Sequence, residues 1–225
     1  YLGQRVHASR SVSPGYRMGH VTLETPMLSA PRVLVRMLVL LRQQPLGILG
    51  CSALALLLSL LSLGLLFGPM QAGLAKVLLR LARDGVWEPQ AQWSEFRWNT
   101  WVAGVLFLGL FVAPTLALPI RDNISDQIAA FFYQVVVALF WFYTFTLIVD
   151  TKLHWWDALR ESWHLVRDHG PSGHVALVLL AILGSYFPTG PAPDVLGLAV
   201  LVAFVGLSVL GQVVAYLEVT RTPAP

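Results

Sequence analysis

The residues best equipped for chemistry are few: His7, His20, His154, His164, His169 and His174, a single cysteine, Cys51, and 12 acidic residues in 225. A haem or chlorophyll in a bilayer usually takes its histidine from within a membrane helix. None of the six lies inside a long apolar run, so that chemistry is disfavoured, with His174 at the mouth of one run as the exception. His164 and Asp168 stand one helical turn apart. A surface ion pair is the preferred reading over a metal site, because no third ligand is evident. One cysteine excludes an intrachain disulfide and a cysteine-built metal centre. No nucleophile–base arrangement, phosphate-binding glycine loop, carboxylate pair or zinc spacing stands out. Asn123 and Asp126 read as a turn and a helix start. The sequence thus assigns no catalytic, cofactor-binding or metal-ligating residue, and the expectation is a protein that is not an enzyme and has no cofactor.

The elements that would hold these residues are dominated by hydrocarbon. Hydrophobic residues make up 56% of the chain and charged ones 12%, about half the usual charged share. That leaves too little polar surface to cover a soluble domain of this length. The net charge of +3 is small and scattered, which argues against nucleic acid as a partner. Arg5, Arg10, Arg17, Arg32, Arg36 and Arg42 precede the first apolar run. Such a basic segment beside a membrane helix faces anionic lipid or is a solvated tail. Residues 1–26 read as a polar, basic tail without the apolar stretch of a signal peptide. Residues 27–219 read as one multi-pass membrane domain, and 220–225 as a stub.

Residues 46–67 hold twelve large aliphatic side chains plus Phe67 and no charge, worth about −4 to −8 kcal/mol for insertion as an upper bound. Runs 98–120, 127–149 and 195–217 are also long enough to cross a hydrocarbon core of roughly 30 Å. Run 175–187 is shorter and leads into Pro188, Gly190, Pro191 and Pro193. Backbone polar groups must be satisfied internally in lipid, so these runs are helices. The expected fold is an all-α, polytopic integral membrane bundle of about five transmembrane helices plus two or three amphipathic interface helices. With five spans the N-terminus lies opposite the tryptophan-rich face, and lysine plus arginine divide seven to eight, so charge gives no orientation.

Three charged segments have helical period. Leu74, Val77, Leu78 and Leu81 form one stripe, with Lys76, Arg80 and Arg83 on another face. Trp155, Trp156, Leu159, Trp163 and Val166 form a second stripe, opposed by Asp157, Arg160, Glu161, His164 and Asp168. Residues 31–42 are a weaker case, with Pro31 suited to a helix start. All are read as interface helices with the apolar stripe towards lipid; packing on a bundle or a partner protein is the alternative. Seven of the eight tryptophans lie in or beside the two inter-span segments, a headgroup-zone signature. Arg83-Asp84-Gly85 and Arg167-Asp168-His169-Gly170 both close such helices 84 residues apart, a pattern resembling a parallel duplication.

Gly47, Cys51, Ala55 and Ser59 form a ladder of small residues, continued by Gly64 and Gly68, that admits another helix closely. The partner is a helix of the same chain in the preferred reading, or another subunit. Phe131, Phe132, Tyr133, Phe140, Trp141, Phe142, Tyr143 and Phe145 crowd the third span.

Residues 68–73 (Gly-Pro-Met-Gln-Ala-Gly), Asp150, residues 156–169 and Ala215-Tyr216-Leu217 together resemble a broad bacterial family of poorly characterised multi-pass proteins. That family includes the membrane domain attached to some glycerophosphoryl diester phosphodiesterases. The resemblance covers roughly residues 30–220. It implies a bacterial inner (cytoplasmic) membrane location and no catalytic residue in this domain.

No Asp, Glu, Lys, Arg or His falls within the four long spans, which counts against a pump or ion-coupled transporter. The expected function is a non-enzymatic scaffold or accessory subunit packing against lipids, other membrane proteins or a second copy of itself. The alternatives are a carrier or lipid-handling protein, and a membrane anchor for a larger enzyme.

Overall fold

Proline and glycine punctuation divides the apolar runs into shorter helices than their hydropathy implies. The computed structural model describes residues 27–117, 124–186 and 195–220. The tail with His7 and His20, Arg121 and Asn123, the Pro188–Pro193 stretch and residues 221–225 lie outside the described residues. Among the described residues every regular element is helical.

Helix α1 (Ala30–Gln43) carries Pro31 in its first turn, and α2 (Pro45–Leu61) opens directly on Pro45. Proline has no N–H to continue the preceding helix, and the chain turns by 97° between the two. Helix α2 stops at Leu61, followed by Leu63 (φ 53°) and Gly64 (φ 86°) in the left-handed region. The Ser62 hydroxyl accepts the Leu66 N–H at 2.9 Å and closes the turn. Helix α3 (Phe67–Asp84) then runs back alongside α2. A 3₁₀ segment (Pro89–Glu95) leads into α4 (Trp98–Ala117). Helices α5 (Ile124–Trp141) and α6 (Thr144–Asp150) form one bent rod. At the break, the Tyr143 N–H donates to the Ser162 hydroxyl of α7 (Trp155–Asp168) at 2.9 Å. Helices α8 (Pro171–Tyr186) and α9 (Val195–Thr220) complete the bundle.

Two stretches, Ser125–Asp150 and Gly197–Thr220, are long and apolar enough to cross a membrane. The number rises to four if each bent pair, α1 with α2 and the 3₁₀ segment with α4, counts as one span. The run 46–67 is not one long helix, because its last turn is given to the Ser62–Gly64 reversal. Helix α8 begins at Pro171 and remains among the shorter apolar helices.

Helix α3 occupies the middle of the bundle, touching α2, the 3₁₀ segment, α4, α6 and α9. Leu74, Val77, Leu78 and Leu81 are buried among these neighbours. The stripe assigned to a lipid interface therefore faces protein. Periodicity had identified the apolar face correctly, but the same face serves a core as well as a membrane surface. Close approach depends on two glycines. A β-carbon on Gly68 would run into the Thr100 carbonyl oxygen and lie 2.8 Å from Gly104 Cα.

Helix α7 covers α5 and α6 through Ala158, Leu159, Ser162 and Val166, all buried. Of its predicted interface stripe, Leu159 and Val166 thus face the core and Trp155 is half-buried against it. Trp163 stacks on Phe140 with centroids 4.3 Å apart, and Trp156 stays 50% exposed. The two Arg-Asp-Gly helix ends share a left-handed glycine, Gly85 (φ 67°) and Gly170 (φ 88°), as helix C-termini commonly do. Their surroundings differ, since α3 is central and α7 peripheral. Helix-ending chemistry accounts for the short repeat.

Candidate functional site

Among the described residues most charged side chains gather at one end of the bundle, Asp126 in the first turn of α5 being an exception. The basic face of α3 places Lys76, Arg80 and Arg83 at successive turns. The Lys76 ammonium donates to Glu95 at 2.7 Å and also to the Ser94 hydroxyl. Arg80 pairs with Glu88. Arg83 grips Asp150 at the end of α6 with both guanidinium nitrogens, Nη2 to Oδ2 at 2.7 Å. The Tyr216 hydroxyl of α9 donates to the same Oδ2 at 2.7 Å. Arg83 is pushed above its ordinary pKa, first by the hydrogen bond to Asp150. Lys76, Arg80, Arg83, Asp84 and Asp150 rim a cleft of about 160 Å³.

Glu95 is fully buried where the 3₁₀ segment ends. Lys152 approaches one of its oxygens at 3.7 Å and Arg97 the other at 3.8 Å. The Asn99 amide joins the start of α4 to the α6–α7 connection, donating to Leu153 O at 2.8 Å and accepting the Trp155 N–H at 2.6 Å. These bonds tie α3, α4, α6, α7 and α9 together at the end where Trp87, Trp93, Trp98, Trp155 and Trp156 also sit. Arg80 and Arg83 each have one carboxylate, whereas Glu95 is shared by Lys76, Lys152 and Arg97. The charge-assisted bidentate geometry of Arg83 on Asp150 fixes position.

Helix α1 reaches the same end. The Leu28 N–H donates to His169 O at 2.8 Å, and Arg36 lies 3.4 Å from Glu218 near the end of α9. The N-terminal helix is therefore beside the tryptophan-rich segments rather than opposite them. Five spans would put α1 opposite those segments; α3, running back alongside α2, adds a reversal that hydropathy does not reveal.

His174 is buried and used on both ring nitrogens. Nδ1 lies 2.9 Å from the Gly170 carbonyl, which can only accept, so Nε2 accepts the Tyr143 hydroxyl proton at 2.6 Å. Neither nitrogen is left for a haem. His164 and Asp168 are joined through Arg167, which lies 3.2 Å from His164 Nδ1 and donates to Asp168 at 2.9 Å. That bond holds the Asp168 carboxyl below its usual pKa. Among the described residues no three His, Cys, Asp or Glu groups gather as a metal site.

The small-residue ladder meets this chain's own helices. Gly47 lies under the Trp87 indole, and the Cys51 carbonyl accepts from Gln92 at 3.1 Å. Ala55 and Ser59 are buried on the same face of α2. Gly64 serves the turn instead of the ladder, and Gly68 crosses Gly104 on α4. Sequence reasoning missed Gly104, Glu95 and the Asp150–Tyr216 bond. Gly104 sits in an unremarkable apolar run, and the other pairs join residues far apart in the chain. No family model matches the chain, and no curated protein or solved structure does.

Proposed function

We propose that the chain is a multi-pass protein of the bacterial cytoplasmic membrane, working as a non-catalytic scaffold or accessory subunit with its charged end in the cytoplasm. The observation that carries this reading is the separation of charge from hydrocarbon. All ten lysines and arginines of the described residues lie on α1, on the C-terminal half of α3, around Glu95 or on α7. The flanks of the bundle expose Val105, Leu106 and Leu110 on α4, Ile128, Phe132 and Val136 on α5, and Leu180 on α8. A one-sided excess of lysine and arginine is the usual mark of the cytoplasmic side. The ion pairs bind helices to one another, Arg83 of α3 to Asp150 of α6 and Lys76 of α3 to Glu95, which favours a structural over a catalytic role.

The depth of the α2–α3 hairpin supports a particular topology. Phe67 stacks on Phe107 at 5.5 Å and Gly64 meets Leu108, about halfway along α4. Helices α2 and α3 then enter and leave on the same side, and α4, α5–α6, α8 and α9 make four passes. On this reading the chain makes four passes where hydropathy led to five, with the short α8 as one of them. A carrier is less well supported, because α3 fills the middle of the bundle where a carrier keeps a substrate cavity.

The test is purification in mild detergent after chemical cross-linking in intact membranes. The expected outcome is a stoichiometric partner or a defined self-oligomer. A strictly monomeric, partner-free species under both conditions overturns the scaffold reading.

A further inference from the structure

We infer that the outer face of α1 is a binding site for an anionic glycerophospholipid, its phosphate held between Arg32 and Arg36 and its acyl chains lying along Val35, Leu38 and Val39. This rests on the membrane reading above and names the lipid class at one of its surfaces.

Three observations support the assignment. Helix α1 is two-faced: Val33, Met37 and Leu40 are buried against the bundle, while Val35 is 63% exposed and Leu38 and Val39 are more than half exposed. It stands at 97° to α2 and packs on α9, with Arg36 beside Glu218. Pro31, Arg32, Val35, Arg36 and Val39 line a shallow open groove of about 470 Å³. An apolar floor with two arginines one helical turn apart, about 6 Å along the backbone axis, complements a phosphodiester above hydrocarbon. Among the described residues, no carboxylate pairs with Arg32, and Arg36 has only the 3.4 Å contact with Glu218. An arginine stem can lie along apolar surface and carry its charge to the headgroup level when an amphipathic helix lies in the interface. The α3 cations are held by closer carboxylates, Lys76 at 2.7 Å from Glu95 and Arg83 on Asp150 with two bonds.

The protein, stripped of lipid in mild detergent, is offered equal amounts of phosphatidylglycerol and phosphatidylcholine, and retained lipid is read by native mass spectrometry. Wild type should retain phosphatidylglycerol preferentially, and rising salt should erase the preference. Arg32→Gln with Arg36→Gln should weaken phosphatidylglycerol retention by about 25-fold, at about fivefold for each guanidinium, and leave phosphatidylcholine unchanged. Arg160→Gln with Arg167→Gln on α7 should change neither.

Equal retention of the two lipids by wild type overturns the proposal, and that arm needs no folded variant. So does a double variant that keeps its phosphatidylglycerol, or a dimer formed through α1 in place of bound lipid. Failure of the underlying membrane reading is distinct: the protein would then stay in solution without detergent.

Discussion

At the scale of single residues, buried polar groups act as locks between helices. Tyr143→Phe removes one hydroxyl and leaves His174 Nε2 buried without a donor. Such an orphaned acceptor costs about 1–3 kcal/mol. The melting midpoint of the detergent-solubilised variant should fall accordingly. Pairing it with His174→Leu should recover part of the loss, since both partners are then apolar. Strict additivity of the two losses would show that the bond is not what stabilises the contact. The tryptophans of α7 separate in the same way. Trp163→Ser removes the stack on Phe140, worth about 0.5–1.5 kcal/mol beyond area burial, and should lower the midpoint. Trp156→Ser, half exposed, should leave the midpoint nearly unchanged while raising protease sensitivity of α7 in membranes. Equal effects of the two substitutions would mean that both rings pack on protein.

At the scale of elements, the crossing of α3 and α4 sets the bundle's geometry. Gly68→Val or Gly104→Val puts side-chain atoms where the other backbone runs. Overpacking against side chains costs typically about 1–3 kcal/mol, and a backbone obstacle yields less readily. Both variants should lose the monodisperse peak in size-exclusion chromatography, whereas Gly109→Val, with open space around it, should elute as wild type. A wild-type profile for Gly68→Val would mean the helices are not in close contact there. The elements themselves were largely legible from composition. Runs 98–120, 127–149 and 195–217 correspond to α4, to α5 with α6, and to α9. The amphipathic period of residues 74–81 was equally plain. The partner of each stripe was not legible, because Leu74 and Val35 have the same affinity for protein core and for lipid. As a result α3, read as a surface helix, is central, while α1, the weaker sequence signal, keeps an uncovered apolar face. The ion-pair cluster stayed hidden because Arg83, Asp150 and Tyr216 come from three helices far apart in sequence.

At the scale of the whole molecule, the side on which α2 and α3 meet decides the topology, and Leu63 is the place to ask. It lies at the tip of the α2–α3 hairpin, 94% exposed on the protein, between Leu61 and Leu65, which are also more than half exposed. Three exposed leucines on a turn are tolerable in hydrocarbon and costly in water, at about 25 cal/mol for each Å² left wet. The turn's own backbone is largely satisfied: the Gly64 N–H donates to Ser59 O at 2.7 Å and the Leu66 N–H to the Ser62 hydroxyl. That internal satisfaction is what lipid requires of a non-helical segment. A cysteine-free background made by Cys51→Ala, carrying one reporter cysteine at a time, separates the two topologies. Gln127→Cys at the start of α5 should react with a membrane-impermeant maleimide on intact cells, and Thr220→Cys at the end of α9 only after permeabilisation. Leu63→Cys should resist the reagent from either side and react only once the protein is denatured. Labelling of Leu63→Cys from outside intact cells would show instead that α2 crosses fully, and that α3, with its three cations, re-enters the bilayer as a span of its own.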